Sequence, residues 1–271
     1  MFTYIDPTVR QRLEDQGKLF QIDRDGVRVA ADRASASGNI SILGPIPMPL
    51  AAGDRTIEVR WYACVRHTEL SKIEEIADDL RERDGQALFA TLASSMAVNS
   101  VLMIGDPETW EDPLVRVHSS CLTGDVFGSQ RCECGPQMDS ALDLIATDAR
   151  GGMLIYMSGH EGRGIGLWAK AATYLLQDAG EDTYQANRSL GLPDDSRDFS
   201  DAASLLKHFV GDKPFRLLTN NPKKVDDLHE MGLSKITAIK HVIGVGDNNR
   251  RYLSAKKARG HKISSRDLSA G

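Results

Sequence analysis

Apolar and polar residues alternate along TIEVRWYACV (residues 56–65) with the two-residue period of a half-buried strand. The run before it, ISILGPIPMPL (40–50), is apolar and broken by prolines. Past His67 the period lengthens, and Leu70, Ile73, Ile76 and Leu80 predict an amphipathic surface helix over 67–85. After Pro107 the pattern becomes regular. LVRVH (114–118) reads as a strand, and QMDSALDLIATDARGG (137–152) as a helix with Met138, Leu142 and Ile145 on one face, stopped by two glycines. MLIYM (153–157) reads as a buried strand, LWAKAATYLLQDAG as a helix ended by Gly180, and FSDAASLLKHF as another helix. PFRLLT predicts a strand, KKVDDLHEMG a helix ended by Gly232, and ITAIKHVIGV (236–245) a final strand.

Strands alternating with helices predict a mixed α/β (α+β) domain, here taken as 41–271. Residues 1–40 mix charges with short apolar pairs, end in the turn-rich ASASGN, and read as an N-terminal extension. Of 271 residues, 41% are hydrophobic and 26% charged, enough for a real core. No apolar run approaches the roughly 18–20 residues of a membrane span, and the first residues lack the apolar middle of a secretory signal, so a cytoplasmic protein is expected. Lys and Arg number 33 against 38 Asp and Glu. The formal charge of −5 argues against nucleic-acid or membrane partners and requires any bound anion to meet a local cluster.

Three of the four cysteines, Cys121, Cys132 and Cys134, share one short window. Zinc takes tetrahedral sulfur and nitrogen ligands, and a catalytic zinc keeps one position for water or substrate. Three thiolates fit that count, provided the chain turns between Cys132 and Cys134, for which Gly135-Pro136 supplies turn chemistry. Two other readings stand beside it. The cysteines can be buried apolar residues, or a closed structural zinc site with His118 or His160 as fourth ligand. Cys64, on the apolar strand, reads as core.

Three further segments carry polar chemistry. SGHEGRGIG (158–166) lies between a strand and a helix, where glycines and a helix start admit an anion, although a plain connection reads equally well. LPDDSRDF (192–199) is a charged loop of the kind usually solvated. LLTNNPKK (217–224) opens a helix with two lysines against the macrodipole, an arrangement that a bound phosphate would reward.

The ordered set RVHSSC with CECGPQ, HEGRGIGL, DDSRDF and LLTNNPKK resembles the GTP cyclohydrolase II family of riboflavin biosynthesis. The resemblance covers roughly 114–263. It implies a mainly α/β homodimer converting GTP and water to 2,5-diamino-6-ribosylamino-4(3H)-pyrimidinone 5′-phosphate, formate and pyrophosphate, with Zn2+ and Mg2+. It implies Cys121, Cys132 and Cys134 as zinc ligands, and Arg116, Val117, His118, Ser119, Ser120 and Gln137 as nucleotide contacts. Glu161, Gly162, Arg163, Thr183, Thr219 and Lys224 fall on further nucleotide-binding positions. Asp195 falls on the proton acceptor, Arg197 on the nucleophile, and Tyr174 on the tyrosine associated with ring opening. A guanidinium with a pKa above about 12 is a poor nucleophile, so charge stabilisation at the α-phosphate suits Arg197 better.

The chain departs from the family pattern in places. Glu133 stands where the family usually has aspartate, Met157-Ser-Gly-His160 replaces the family's His-Arg-Gln, and Thr173 precedes Tyr174 where an arginine is common. Two cations expected near the nucleotide are absent, which opens an alternative: a paralogous ring-opening hydrolase acting on another nucleotide, such as UMP. A third reading, a non-catalytic zinc module binding nucleic acid, draws on Arg250, Arg251, Lys256, Lys257, Arg259 and Lys262, a stretch that otherwise reads as a solvated helix.

Overall fold

The structure is a computed structural model and describes residues 5–29, 38–52, 54–71 and 97–269. A short helix, α1 (Pro7–Asp15), is started by Asp6, whose carboxylate accepts from the Thr8 N–H, and by Pro7 in the first turn. The chain then forms β1 (Leu19–Ile22), β2 (Ile40–Ala52) and β3 (Arg55–Arg66). Residues 67–71 are helical, and the remainder of the helix expected over 67–85 lies outside the described residues. Then come β4 (Asn99–Ile104), β5 (Leu114–Ser119), α2 (Leu122–Asp125), α3 (Cys134–Thr147) and β6 (Gly152–Met157). The chain continues through α4 (Leu167–Asp178), α5 (Thr183–Ser189), α6 (Ser200–Val210), β7 (Phe215–Leu218), α7 (Pro222–Glu230), β8 (Ile236–Ile239), α8 (Arg250–Ala258) and α9 (Ser265–Ser269).

All eight strands join one sheet in the order β1-β2-β3-β4-β6-β5-β7-β8. From β1 to β6 the neighbours are antiparallel, and from β6 to β8 they are parallel. The parallel strands are apolar on both faces because helices cover both. Val115, Val117, Met153, Ile155 and Leu217 pack with Leu205, Leu206 and Phe199 of the α6 region. Leu114, Leu154 and Leu218 pack on the other side with Ala141 and Ile145 of α3, joined by Met138 and Leu142 as the helical spacing predicts. Between Leu43 and Ile46 the β2–β3 register shifts at Gly44 (φ 149°), where a Cβ would lie 2.7 Å from the Trp61 carbonyl oxygen.

Within the segment grouped as an extension, residues 1–40, β1 pairs with β2 and the Ile22 side chain is fully buried in the main core. Ser204 of α6 donates to the Arg24 carbonyl, so this segment and 41–271 share one sheet and one core. The final strand is shorter than the predicted 236–245 and stops at Ile239. Its continuation leaves the ladder because the His241 backbone is taken up by side chains: Asn220 Nδ2 donates to its carbonyl, its N–H donates to Asn220 Oδ1, and Gln137 Nε2 donates to the same carbonyl. Cys64 is fully buried in the core, as its apolar strand predicts.

Candidate active site

In a parallel sheet every strand delivers its following loop to the same edge. The loops after β5, β6 and β7 therefore converge, carrying three of the sequence segments singled out above, and the 192–199 segment between α5 and α6 brings Arg197 to the same place. The loop after β5 places Cys121 just before α2, and Cys134 opens α3, so the three sulfurs converge with all atoms within 4.8 Å of one another. Cys121 Sγ and Cys132 Sγ are 3.5 Å apart. Zinc bound at about 2.3 Å from each sulfur needs them about 3.8 Å apart, so the donor set fits the ion. Gly124 makes the approach possible: a Cβ there would lie 2.9 Å from Cys132 Sγ and 3.1 Å from Cys121 Sγ. Hydrogen bonds from Cys132 and Cys134 hold the Cys121 thiol far below its usual pKa, with Lys170 adding to the effect, while Cys132 is pushed up to about 11 and Cys134 upward as well. Negative charge on sulfurs this close is mutually repulsive unless a cation compensates it.

Among the described residues no fourth His, Cys, Asp or Glu joins the cluster. Neither His118 nor His160 belongs to the group of ligand atoms lying within 4.8 Å of one another, so neither stands as the fourth ligand. His118 Nε2 is 3.1 Å from Asp125 Oδ1, and burial lowers its pKa, keeping the ring neutral. Asp125 also accepts from the Cys121 N–H and the Tyr156 hydroxyl, which fixes the start of the cysteine loop. His160 lies 3.2 Å from Ser119 Oγ through Nδ1 and 2.9 Å from the Asp198 carbonyl through Nε2.

Glu161, expected to meet nucleotide, is committed to the cysteine loop. One carboxylate oxygen accepts from Lys170 Nζ at 2.6 Å and the other from the Leu122 N–H at 2.6 Å. Lys170 in turn lies 3.1 Å from Cys121 Sγ. Tyr174, one turn further along α4, hydrogen-bonds Thr123 at 3.1 Å, and the Arg131 guanidinium stacks 4.3 Å from its ring centroid.

A cleft opens above the sulfurs, lined by Arg116, Gly162, Arg163, Arg197, Thr183, Thr219, Asn220 and Lys224, with Tyr252, Lys256 and His261 on a further wall. Arg116 is buried, donates to the Leu218 carbonyl and to Gln137 Oε1, and keeps its Nε without a partner. Lys224 is buried and donates to the Val117 carbonyl at 2.7 Å, so a backbone oxygen, not only a phosphate, rewards this lysine. Burial, followed by the charges of Arg116, Arg197 and Lys256, pushes its pKa well down. An anion entering the cleft relieves that repulsion. Lys223, by contrast, is exposed and pairs with Asp227 one turn on. Arg163 has a left-handed backbone (φ 65°), stacks 4.2 Å from the Tyr184 ring centroid, and leaves Nη2 buried without a partner.

Asp195 and Arg197 form a two-pronged pair, Nε to Oδ1 at 2.9 Å and Nη2 to Oδ2 at 2.6 Å, and Nη1 reaches Ser119 Oγ at 3.3 Å. Burial raises the Asp195 pKa and Arg197 lowers it more, for a net decrease. Ser120 donates to the Ser158 carbonyl, and the Val117 side chain lies in the core. Of the 192–199 loop, Arg197 lines the cleft and Phe199 is buried, while Pro193, Ser196 and Asp198 are exposed, so the charged run is only partly the solvated loop expected.

Several site groups were not singled out from sequence: Asp125, Lys170, Asn220, Tyr184, Tyr252 and His261. Lys170 left a trace, a lysine beside Thr173 on the buried face of an alanine-rich helix. Lys256, read as part of a solvated helix, is instead largely buried against Glu133 at 2.5 Å.

The sequence profile of the GTP cyclohydrolase II family matches residues 85–240. The riboflavin biosynthesis protein RibBA of Mycobacteroides abscessus is 52% identical over 157 residues, 58% of this chain and 37% of the relative. The RibBA protein of Nocardia farcinica is 50% identical over 163 residues, 60% of this chain and 39% of the relative. The chain therefore spans less than half the length of these relatives. No helix among the described residues is long and apolar enough to cross a membrane. A profile covering more than half the chain, on an α/β sheet whose converging loops carry three close cysteine sulfurs, places this protein in the GTP cyclohydrolase II family.

Proposed function

We propose that the protein is a zinc-dependent cyclohydrolase that opens the imidazole ring of GTP, releasing formate and pyrophosphate and leaving 2,5-diamino-6-ribosylamino-4(3H)-pyrimidinone 5′-phosphate. The observation that carries this reading is a three-thiolate cluster at the floor of a cleft lined by Arg116, Arg163, Arg197 and Lys224. Zinc held by Cys121, Cys132 and Cys134 would acidify water toward neutral pH for attack at the electron-poor C8. Lys170 and Glu161 hold Cys121 and the Leu122 amide in place.

Arg116, Arg163 and Lys224 take the phosphate charge, and Mg2+ bound with the nucleotide would offset part of it. Arg197, held by Asp195 and Ser119, stabilises charge at the α-phosphate, and Asp195 serves as the proton acceptor. Tyr174, bonded to Thr123 beside the sulfurs, assists ring opening. Thr183, Thr219, Gln137, Gly162 and the 116–120 strand end complete the nucleotide contacts. The same proposal includes the homodimer that the family resemblance implies, which light scattering reads.

A second reading keeps the chemistry and changes the nucleotide. The stretch 157–160 and Thr173 carry no lysine or arginine where two cations were expected: the Ser158 N–H donates to Asn99, its carbonyl accepts from Ser120, and the Thr173 hydroxyl donates to the Lys170 carbonyl. Zinc-loaded protein incubated with GTP and Mg2+ should yield formate and pyrophosphate, with UMP, GMP and ATP assayed in parallel. Formate from one of those and none from GTP favours the second reading. No product from any, with zinc bound, overturns both.

A further inference from the structure

The matched family profile stops at residue 240, yet the wall of the cleft that faces the arginines comes from the segment beyond it. This wall is firmly seated. Leu253 and Ile263 are buried, Asn249 Nδ2 donates to the Gly244 carbonyl, and the Lys262 N–H donates to the Asn220 carbonyl at 2.8 Å. Lys256 pairs at 2.5 Å with Glu133, the residue between Cys132 and Cys134 in the chain, with its ammonium 4.6 Å from the Tyr252 ring centroid. The glutamate's second oxygen is buried without a partner.

Two nitrogens in this corner are shut off from water and have no hydrogen-bond partner: Nδ1 of His261 and Nη2 of Arg163. A buried polar atom left unmatched is costly, so a ligand oxygen there restores what folding removed. The acids of the corner, Asp195 and Glu133, are already bonded to Arg197 and Lys256. That leaves Arg163 as positive charge without a carboxylate partner among the ion pairs of the described residues. His261, Lys256, Arg163 and Arg197 line the same cleft, and burial, followed by those three positive charges, lowers the His261 pKa to about 4.

We propose that the C-terminal segment completes the substrate site, His261 and Lys256 binding phosphoryl oxygens of the substrate together with Arg163. The ligand class is a phosphate ester or anhydride. The proposal rests on the nucleotide reading only for which molecule brings that phosphate.

Inorganic pyrophosphate tests the subsite independently of the base. Calorimetric titration of zinc-loaded protein should show pyrophosphate binding, weakened about tenfold by His261→Ala and by Lys256→Met. Lys262→Ala, which removes an adjacent exposed cation and keeps the backbone contact, should leave it unchanged. Because Lys256→Met strands Glu133, zinc content is measured for each variant, and His261→Ala supplies the arm that does not touch the cysteine loop. Wild-type protein that ignores pyrophosphate, or variants that bind it as the wild type does, overturns the subsite even if GTP is turned over. The expected pyrophosphate pattern with no formate from GTP removes the GTP reading alone.

Discussion

The sheet has two halves built on different rules. From β1 to β4 the strands form antiparallel connections and supply mainly core, whereas from β6 through β8 they are parallel and supply the cleft. The difference follows from topology. Antiparallel neighbours send successive loops to opposite edges, while parallel neighbours send every following loop to one edge, where chemically distinct residues far apart in sequence can meet. The antiparallel half still touches the site through one bridge. Arg66 at the end of β3 binds Asp198 and Asp201, and Asn99 at the start of β4 bonds Asp201 and the Ser158 N–H. Both flank the loops that carry Arg197 and Arg163.

The sharpest way to break this comparison is to substitute one buried cysteine in each half. Cys132→Ser should lose zinc binding and about a thousandfold or more in activity, because one of three metal ligands is gone. Cys64→Ala should keep zinc and activity while lowering stability by about 1–2 kcal/mol from the cavity, read by denaturant unfolding and metal analysis.

A smaller effect is expected from Lys170→Met. With the charge removed beside Cys121 and Glu161 left without its partner, zinc affinity should fall about tenfold to a hundredfold, measured by competition with a chromophoric chelator. Unchanged affinity would remove Lys170 from the metal site.

Acid should expose the cleft half next. Burial lowers the His160 pKa to about 4, against about 6.5 in the unfolded chain. The unfolded state therefore binds protons first, so stability is intact above pH 6.5 and declines as pH falls toward 4. His160→Gln should remove part of that slope, on the order of 2 kcal/mol between those limits, in urea titrations at stepped pH. An unchanged slope would assign the acid loss to other groups.

The bridge between halves should give a milder change: Arg66→Met is expected to raise KM severalfold at constant zinc content, through a loosened 195–201 loop. The smallest effect belongs to the outer edge. Asp25→Ala breaks an ion pair with Lys207 whose carboxylate is largely exposed, and should shift stability by less than about 0.5 kcal/mol with no change in kinetics.

The same division explains what could be read in the sequence. Periodicity gave β5, β6 and β7 and the helices α3, α4 and α6, since two-sided burial and amphipathic helices leave strong patterns, but not α2 or α5, which are too short to show a period; the three cysteines announced themselves by spacing. Lys256 was misread because a basic helix pattern does not show that one lysine turns inward to Glu133, 123 residues away in the chain. Glu161 lay in a recognisable motif, but its partners Lys170 and the Leu122 amide are set by tertiary packing. The end of β8 was missed because Asn220 and Gln137 compete for the His241 backbone, a contest invisible in the local run ITAIKHVIGV.

The central claim is that the cysteine cluster and the cationic cleft act together on a purine nucleotide. Its most direct test is formate release from GTP by one protein preparation, first stripped of metal and then reconstituted with zinc. Formate appearing with zinc and Mg2+, and absent from the stripped protein, is the expected result. Formate release that is equal in both, or absent from both while zinc is bound in one, contradicts the account.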